Sequence, residues 1–314
     1  MDPHDSNEVS QYIDLSVQLE VTKLTKEYGS DSWQSYIINT ILPEYIEPII
    51  EHEYTDNITD EAYNEAKKFY DIAIEKFKAD DWKYFVNQKL DEINSSLEEQ
   101  YKLKETTKDN QTLTSIEKTI ANLEVSKQVN EWRLEKNISY EPSFLNNALE
   151  NYSSNRTELI SYQGTDLSKA SKDDLKYYNS ALENANLNKY YIDNMITLKS
   201  GDNRDMLLNL FGQYELFILI IGIVIAGSIV SDEFNKGTIK LLLVKPYNRI
   251  KILFAKFIVC MCVLVLAISF IAISQFIFGG LIQGFSSLSI PAIIYNFDTN
   301  KVETMNILSY ICLT

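Results

Sequence analysis

The stretch MLLNLFGQYELFILIIGIVIAGSIV, residues 206–230, holds one charged side chain, Glu215, in 25 positions. Wound as an α-helix it is about 37 Å long against a bilayer core of about 30 Å, so it is expected to span. Residues 257–297 contain no Asp, Glu, Lys or Arg in 41 positions. As one helix they would reach about 60 Å, too long for an ordinary membrane, so that run must break. Gly279, Gly280, Gly284 and Pro291 mark the break. The reading is a second span over residues 252–278, a loop at the far interface, the polar stretch DTNKVET, and a third span beginning at about residue 305. Uncharged stretches of this length argue against core helices of a large soluble protein.

Averaged over 314 residues, 45% hydrophobic and 23% charged side chains describe an ordinary soluble protein, but the two parts of the chain are different materials. Residues 206–314 carry seven Lys or Arg and five Asp or Glu, so residues 1–205 hold a net charge of -17 out of a chain total of -15. That acidity argues against nucleic acid as a partner, because phosphate binding needs clustered positive charge. Cys260, Cys262 and Cys312 all lie in the apolar part, which excludes a disulfide framework and suits small buried hydrophobes. His4 and His52 are isolated, so no metal site is expected. The opening MDPHDSNEVSQYIDLSVQLE lacks the basic start and apolar core of a cleavable signal peptide and is not expected to direct export.

Orientation follows from the segment between the first two spans. There Lys236, Lys240, Lys245, Arg249, Lys251 and Lys256 face only Asp232 and Glu233, whereas the loop after the second span has Lys301 alone. Lys and Arg collect on the cytoplasmic side, which puts residues 231–251 inside, and residues 1–205 and the loop around 281–304 outside. A polar segment of that size ahead of the first visible span would need an upstream signal or span to carry it across.

Residues 1–205 are patterned as helices, with few Gly and Pro and apolar residues three and four apart. A capping box from Thr114 to Glu117 opens one helix, with Ile116, Ile120 and Leu123 on one stripe and Val125, Val129 and Trp132 on the next. Tyr63, Tyr70, Ile74 and Phe77 form another stripe, Pro142 is placed in the first turn of a further helix, and residues 168–195 supply a last pair. The expected fold class is all-α: a polytopic membrane protein, spanning over 206–314, with an extracytoplasmic helical bundle or hairpin domain over 1–205. Helically spaced aromatics read as core sooner than as a ligand box.

The segment SDEFNKGTIKLLLVKPYNR, residues 231–249, is too polar to span and too apolar for a free loop. It reads either as an interfacial stretch on anionic headgroups or as a docking element for a cytoplasmic protein. The order Glu233, Gly237-Thr238, Leu242-Leu243, Pro246, Arg249 and Lys256, directly after one span and leading into the next, resembles the membrane subunits of bacterial ABC-2 type exporters. The resemblance covers residues 206–314. It implies six spans, so the chain would lack the first and the last three or so, with residues 1–205 as a large external insertion between the first and second. It also implies a non-catalytic permease paired with a second permease copy in the lipid bilayer and with cytoplasmic ATP-hydrolysing subunits. The chain itself would then hold no cofactor, ATP belonging to the partner. By the same resemblance Glu233, Gly237, Thr238, Leu242, Leu243, Pro246 and Arg249 belong to the element that couples to the ATPase.

Read from the residues alone, Gly237 permits close backbone approach or a plain turn, and Pro246 ends the element. Arg249, Lys251 and Lys256 also suit topology anchors. Glu215, a charge inside a span, is a candidate for a substrate or ion path. No Gly-x-x-x-x-Gly-Lys-Ser/Thr loop occurs, so any ATP chemistry belongs to a partner. No carboxylate pair or nucleophile with a neighbouring base points to catalysis. The alternative to a permease is a membrane-anchored extracellular helical sensor or adhesion protein, whose spans only hold the bundle.

Overall fold

The structure is a computed structural model that describes residues 6–55, 57–235 and 249–313. The chain divides into two units, residues 1–197 and 198–314.

The first unit is helical: α1 (Ser6–Tyr28), α2 (Trp33–Thr40), α3 (Pro43–Tyr54), α4 (Asp60–Lys78), α5 (Trp82–Thr106), α6 (Asn110–Glu135), α7 (Phe144–Ser161) and α8 (Lys172–Asp193). Six of these begin at a side chain that satisfies an otherwise unpaired first-turn N–H: Ser32, Thr59, Asp81, Asp109, Ser143 and Ser171. The capping box falls at Ser171 and Asp174, not at Thr114 and Glu117. Helix α6 starts earlier because Asp109 accepts from both the backbone N–H (2.8 Å) and the hydroxyl (2.6 Å) of Thr112. These bonds to the ionised carboxylate hold its pKa below the ordinary value. Thr114, already inside the helix, donates its hydroxyl back to the Asn110 carbonyl. Pro142 precedes α7 and its cap Ser143 instead of lying in the first turn. Residues 168–195, where a pair was expected, give one helix, α8, after a single 3₁₀ turn at Leu167–Lys169.

The two stripes of α6 serve two cores. Ile116 and Ile120, with Leu123 at the edge, pack with Ile93 and Leu97 of α5. Val125 and Val129, flanked by Trp132, pack with Leu145, Leu149 and Tyr152 of α7 and with Ala185 and Ile192 of α8. A third core joins α1 to α5 around Trp33, Ile37, Leu42, Phe77 and Phe85. Its rings meet edge to face or tilted, Trp33 to Phe77 at 5.5 Å and Phe77 to Phe85 at 5.7 Å. Of the α4 stripe, Phe77 is buried and Tyr70 and Ile74 pack at the margin, while Tyr63 stacks on His52 at 4.4 Å.

Arg133 ties α6 to the α1–α5 core. Only 3% exposed, it lies 4.1 Å over the ring of Tyr140 and donates to the carbonyls of Ile138 (3.2 Å) and Ser139 (2.7 Å). Tyr140 stacks in turn on Tyr36 at 4.6 Å, and burial pushes its phenol up to about 12, so it stays neutral.

The second unit contains α9 (Asn203–Leu208), α10 (Leu210–Asn235), α11 (Arg249–Ser274), a π-helical turn at Gln275–Gly279 and α12 (Gly280–Gln283). A 3₁₀ turn (Ser286–Ser289), strands β1 (Ala292–Asn296) and β2 (Lys301–Met305) and α13 (Ile307–Leu313) follow. The strands pair antiparallel, Ala292 opposite Met305 and Asn296 opposite Lys301. This hairpin stands where the sequence suggested only a loop, and its β-branched AIIYN is the signal that was available. The other regular elements among the described residues are nonetheless all helical, in keeping with an all-α membrane protein.

Asp80 closes the α4–α5 turn in the left-handed region (φ 54°), and its carboxylate accepts the indole N–H of buried Trp33 at 2.6 Å. Asp80→Ala is expected to destabilise the first unit by about 1–3 kcal/mol, because the indole N–H loses its partner. Asp80→Asn, which keeps an acceptor and tolerates that backbone, is expected to lose less than half as much. All three Trp (33, 82 and 132) lie in this unit, so urea unfolding followed by Trp fluorescence reads the difference.

Candidate transport unit in the membrane

Helices α10 and α11 pack antiparallel, as the contacts of Gly222 with Leu264 and of Tyr214 with Gln275 require. The helix running from Phe254 to Gln283 is long and apolar enough to cross a membrane, and no side chain of its most apolar window is buried within the chain. A shorter apolar helix, Gly212–Ser228, lies beside it within α10. Leu216, Phe217, Ile223, Phe257, Leu266 and Phe270 are each at least 59% exposed. The core of a soluble protein hides such side chains, and an exposed apolar surface this continuous is compatible only with lipid or further apolar helices around it.

The described residues include five of the expected site residues. Glu215 is exposed in the second turn of α10, within the apolar stretch. Glu233 falls in the last turn of α10, and Arg249 opens α11. Lys251 is exposed on α11, and Lys256 is half-buried one to two turns further on. Gly237, Thr238, Leu242, Leu243 and Pro246 lie outside the described residues. The expected first span is divided, since residues 206–208 belong to α9 and α10 begins at Leu210. Of the four residues expected to mark the break, Gly284 (φ 89°) is where the helix ends, after winding through Gly279 and Gly280.

What the glycines do instead is admit a polar junction that sequence reasoning missed. A π-helical turn inserts one residue and leaves a carbonyl without its usual helical partner, a costly state in an apolar setting. Asn203, 0% exposed, meets that need. The amide orientation that satisfies both of its ends donates to the Gln275 carbonyl at 3.1 Å and accepts from the Gly280 N–H at 3.0 Å. A methyl group on Gly279 would overlap the Asn203 amide, and one on Gly280 would overlap the ring of Phe285. Beside it Arg204, 5% exposed, donates through Nε to the Ile290 carbonyl (3.0 Å) and through Nη2 to that of Pro291 (2.7 Å), fixing the approach to β1. Gln283 closes the knot by donating to the Gly201 carbonyl at 2.7 Å. The available signal was the charge-dense GDNRD at the edge of an apolar run.

Beside the junction an apolar cavity of about 650 Å³ is lined by Leu207 of α9, Ile273 of α11, Phe276 of the π turn and Ile307 of α13. Among the described residues no group of three or more His, Cys, Asp or Glu is placed to hold a metal ion. Cys260 is half-buried and Cys262 exposed on α11, facing the same surroundings as the apolar side chains.

Gly280→Ala is expected to lower the stability of the second unit by about 1–3 kcal/mol through overpacking against Phe285. Combining it with Phe285→Ala should cost less than the two single effects added, because the larger ring is what the new methyl strikes. Thermal unfolding in detergent of the two single variants and the double variant measures this, and strict additivity would contradict the contact.

The comparisons with known proteins agree with this placement. Residues 187–314 match the family model described as ABC-2 family transporter protein. A stretch of 96 residues is 33% identical to the uncharacterized protein YhcI of Bacillus subtilis (strain 168), covering 31% of this chain and 31% of that protein. The matched stretch thus spans about a third of the length of this curated relative. No solved structure matches. Residues 187–314, which include the whole of the second unit, are thus similar to the ABC-2 family transporter domain, and the exposed apolar helices of that unit suit a membrane.

Proposed function

We propose that this chain is a permease subunit of an ATP-driven exporter, with residues 231–251 on the cytoplasmic side as the element that docks on a separate ATPase. The observation that carries the reading is the family match over residues 187–314 taken with a cation-rich segment joining two apolar helices. Transport through a bilayer needs spans, and driving it with ATP needs a nucleotide site, for which this sequence has no phosphate-binding loop. The hydrolysing subunit is therefore a partner. A second permease copy completes the apolar surround that α10 and α11 need in part, and lipid supplies the rest.

A force on residues 231–251 acts at one end of both helices. At the other end they are gripped by the Asn203 junction, so a tilt of the pair moves α9 and the β-hairpin as well, where a loose loop would absorb it. In this arrangement residues 1–205 stand outside the cell, and the protein needs no cofactor of its own. Glu215 faces outward from an apolar helix, a costly position for a charge and one that suits a path for substrate or ion.

Two measurements test the reading. Lys108 is exposed between α5 and α6, and Lys108→Cys is expected to react with a membrane-impermeant thiol reagent in intact cells. Labelling only after the membrane is opened would reverse the topology. Glu233→Ala or Gly237→Val is expected to leave expression intact and to lower transport per ATP hydrolysed by about tenfold, a coupling loss of roughly 1.4 kcal/mol. Normal coupling in both variants would remove the docking assignment.

A further inference from the structure

The first unit contains a groove that its helical core does not account for. It has a volume of about 590 Å³ and is built from three helices: Glu44 and Tyr45 from α3, Glu65, Lys68 and Phe69 from α4, and Tyr84 from α5. Tyr45 and Phe69 stack with ring centres 3.7 Å apart and planes 15° from parallel. They project from separate helices and stack face to face, forming an aromatic wall in which each ring covers one face of the other.

Charge is distributed unevenly around that wall. Glu44 and Glu65 are exposed, and among the described residues neither takes part in an ion pair. Lys89, the cation that acts on Tyr45, is already held by Glu92 at 3.0 Å. Lys68 is the one cationic side chain among those lining the groove, against two carboxylates. The phenol of Tyr45 registers the imbalance. Its pKa is raised first by burial and then by Glu92, Glu44 and Glu65 together, with Lys89 opposing. The aromatic faces add to the same sign of potential, since a ring presents its negative quadrupole to whatever lies over it. Tyr84 shows that a ring of this groove accepts a cation, because the Lys76 ammonium sits 5.1 Å from its centre.

A groove with an aromatic stack in its wall and unpaired carboxylates at its rim complements a ligand with an apolar body and one positive charge. An anion would be repelled, and a neutral aromatic compound would gain only the wall. We propose that this groove binds a small organic cation, an ammonium group carried on an apolar body, the charge facing Glu44 and Glu65 and the body lying on the Tyr45–Phe69 stack. The site belongs to the first unit alone and does not rest on the transporter reading. Its occupancy is decided by binding, whatever the membrane unit moves.

The test uses the whole chain purified in a non-ionic detergent, with benzyltrimethylammonium as the probe and benzyl alcohol and phenylacetate as its neutral and anionic counterparts, titrated by ligand-observed NMR. The cation is expected to bind at millimolar concentration or below, and the other two at least about tenfold more weakly. Glu44→Gln combined with Glu65→Gln is expected to weaken the cation about tenfold with an unchanged circular dichroism spectrum, since both side chains are exposed. Lys68→Gln is expected to tighten it, a change in the opposite direction that general loosening of the fold would not give. Equal binding of the cation and benzyl alcohol, unchanged affinity in the double Gln variant, or no saturable binding of the cation up to about 20 mM would each overturn the assignment.

Discussion

In an apolar surround, backbone N–H and C=O groups find no water, and each must be satisfied within the protein. The second unit is organised by that constraint. A regular α-helix meets it automatically, which is why the Phe254–Gln283 helix can expose its most apolar window completely. The π turn at Gln275–Gly279 does not meet it automatically, and the deficit is made good by one buried amide, that of Asn203. Gly279 and Gly280 are small because the amide and the Phe285 ring need the space that a Cβ would fill. The same short segment holds Arg204, which satisfies the carbonyls of Ile290 and Pro291 and so carries the solution on to the hairpin.

The first unit obeys a different rule. In water the backbone has partners everywhere, and what fixes long helices is the burial of their apolar stripes. Helix α6 carries two such stripes and delivers each to a different neighbour, so it serves as the shared member of two cores. Arg133, stacked on Tyr140 and bonded to two carbonyls, joins it to the third. The remaining polar surface is rich in Asp and Glu, few of them in ion pairs, which leaves it free to attract positive charge. A unit of this kind differs from the apolar unit in what it can bind: charge and aromatic faces against apolar surface alone.

These two rules place the functional readings in different parts of the chain. The proposed coupling to ATP hydrolysis concerns the ends of α10 and α11, one end close to the cation-rich segment and the other closed by the Asn203 knot. The proposed recognition of a charged ligand concerns the helices before residue 197. The ABC-2 family match over residues 187–314 is in accord with a transport component.

The apolar runs, the charge asymmetry and the helical periodicity were legible in the sequence because each is a local property of composition and spacing. The membrane character and the helical class followed from them, and the family resemblance from the ordered residues between Glu233 and Lys256. Helix starts were less legible: Asp109 competed with Thr114 for one cap and won by accepting two hydrogen bonds, which only the folded turn discloses. The glycines at 279 and 280 looked like a break because sequence shows the missing side chain and not the neighbour that occupies its place. Asn203, 73 residues from the Phe276 backbone it approaches, Arg204 with its two distant carbonyls, and the Tyr45–Phe69 wall were decided by tertiary structure. Contacts so far apart along the chain depend on how the helices pack, and local pattern carries no record of that.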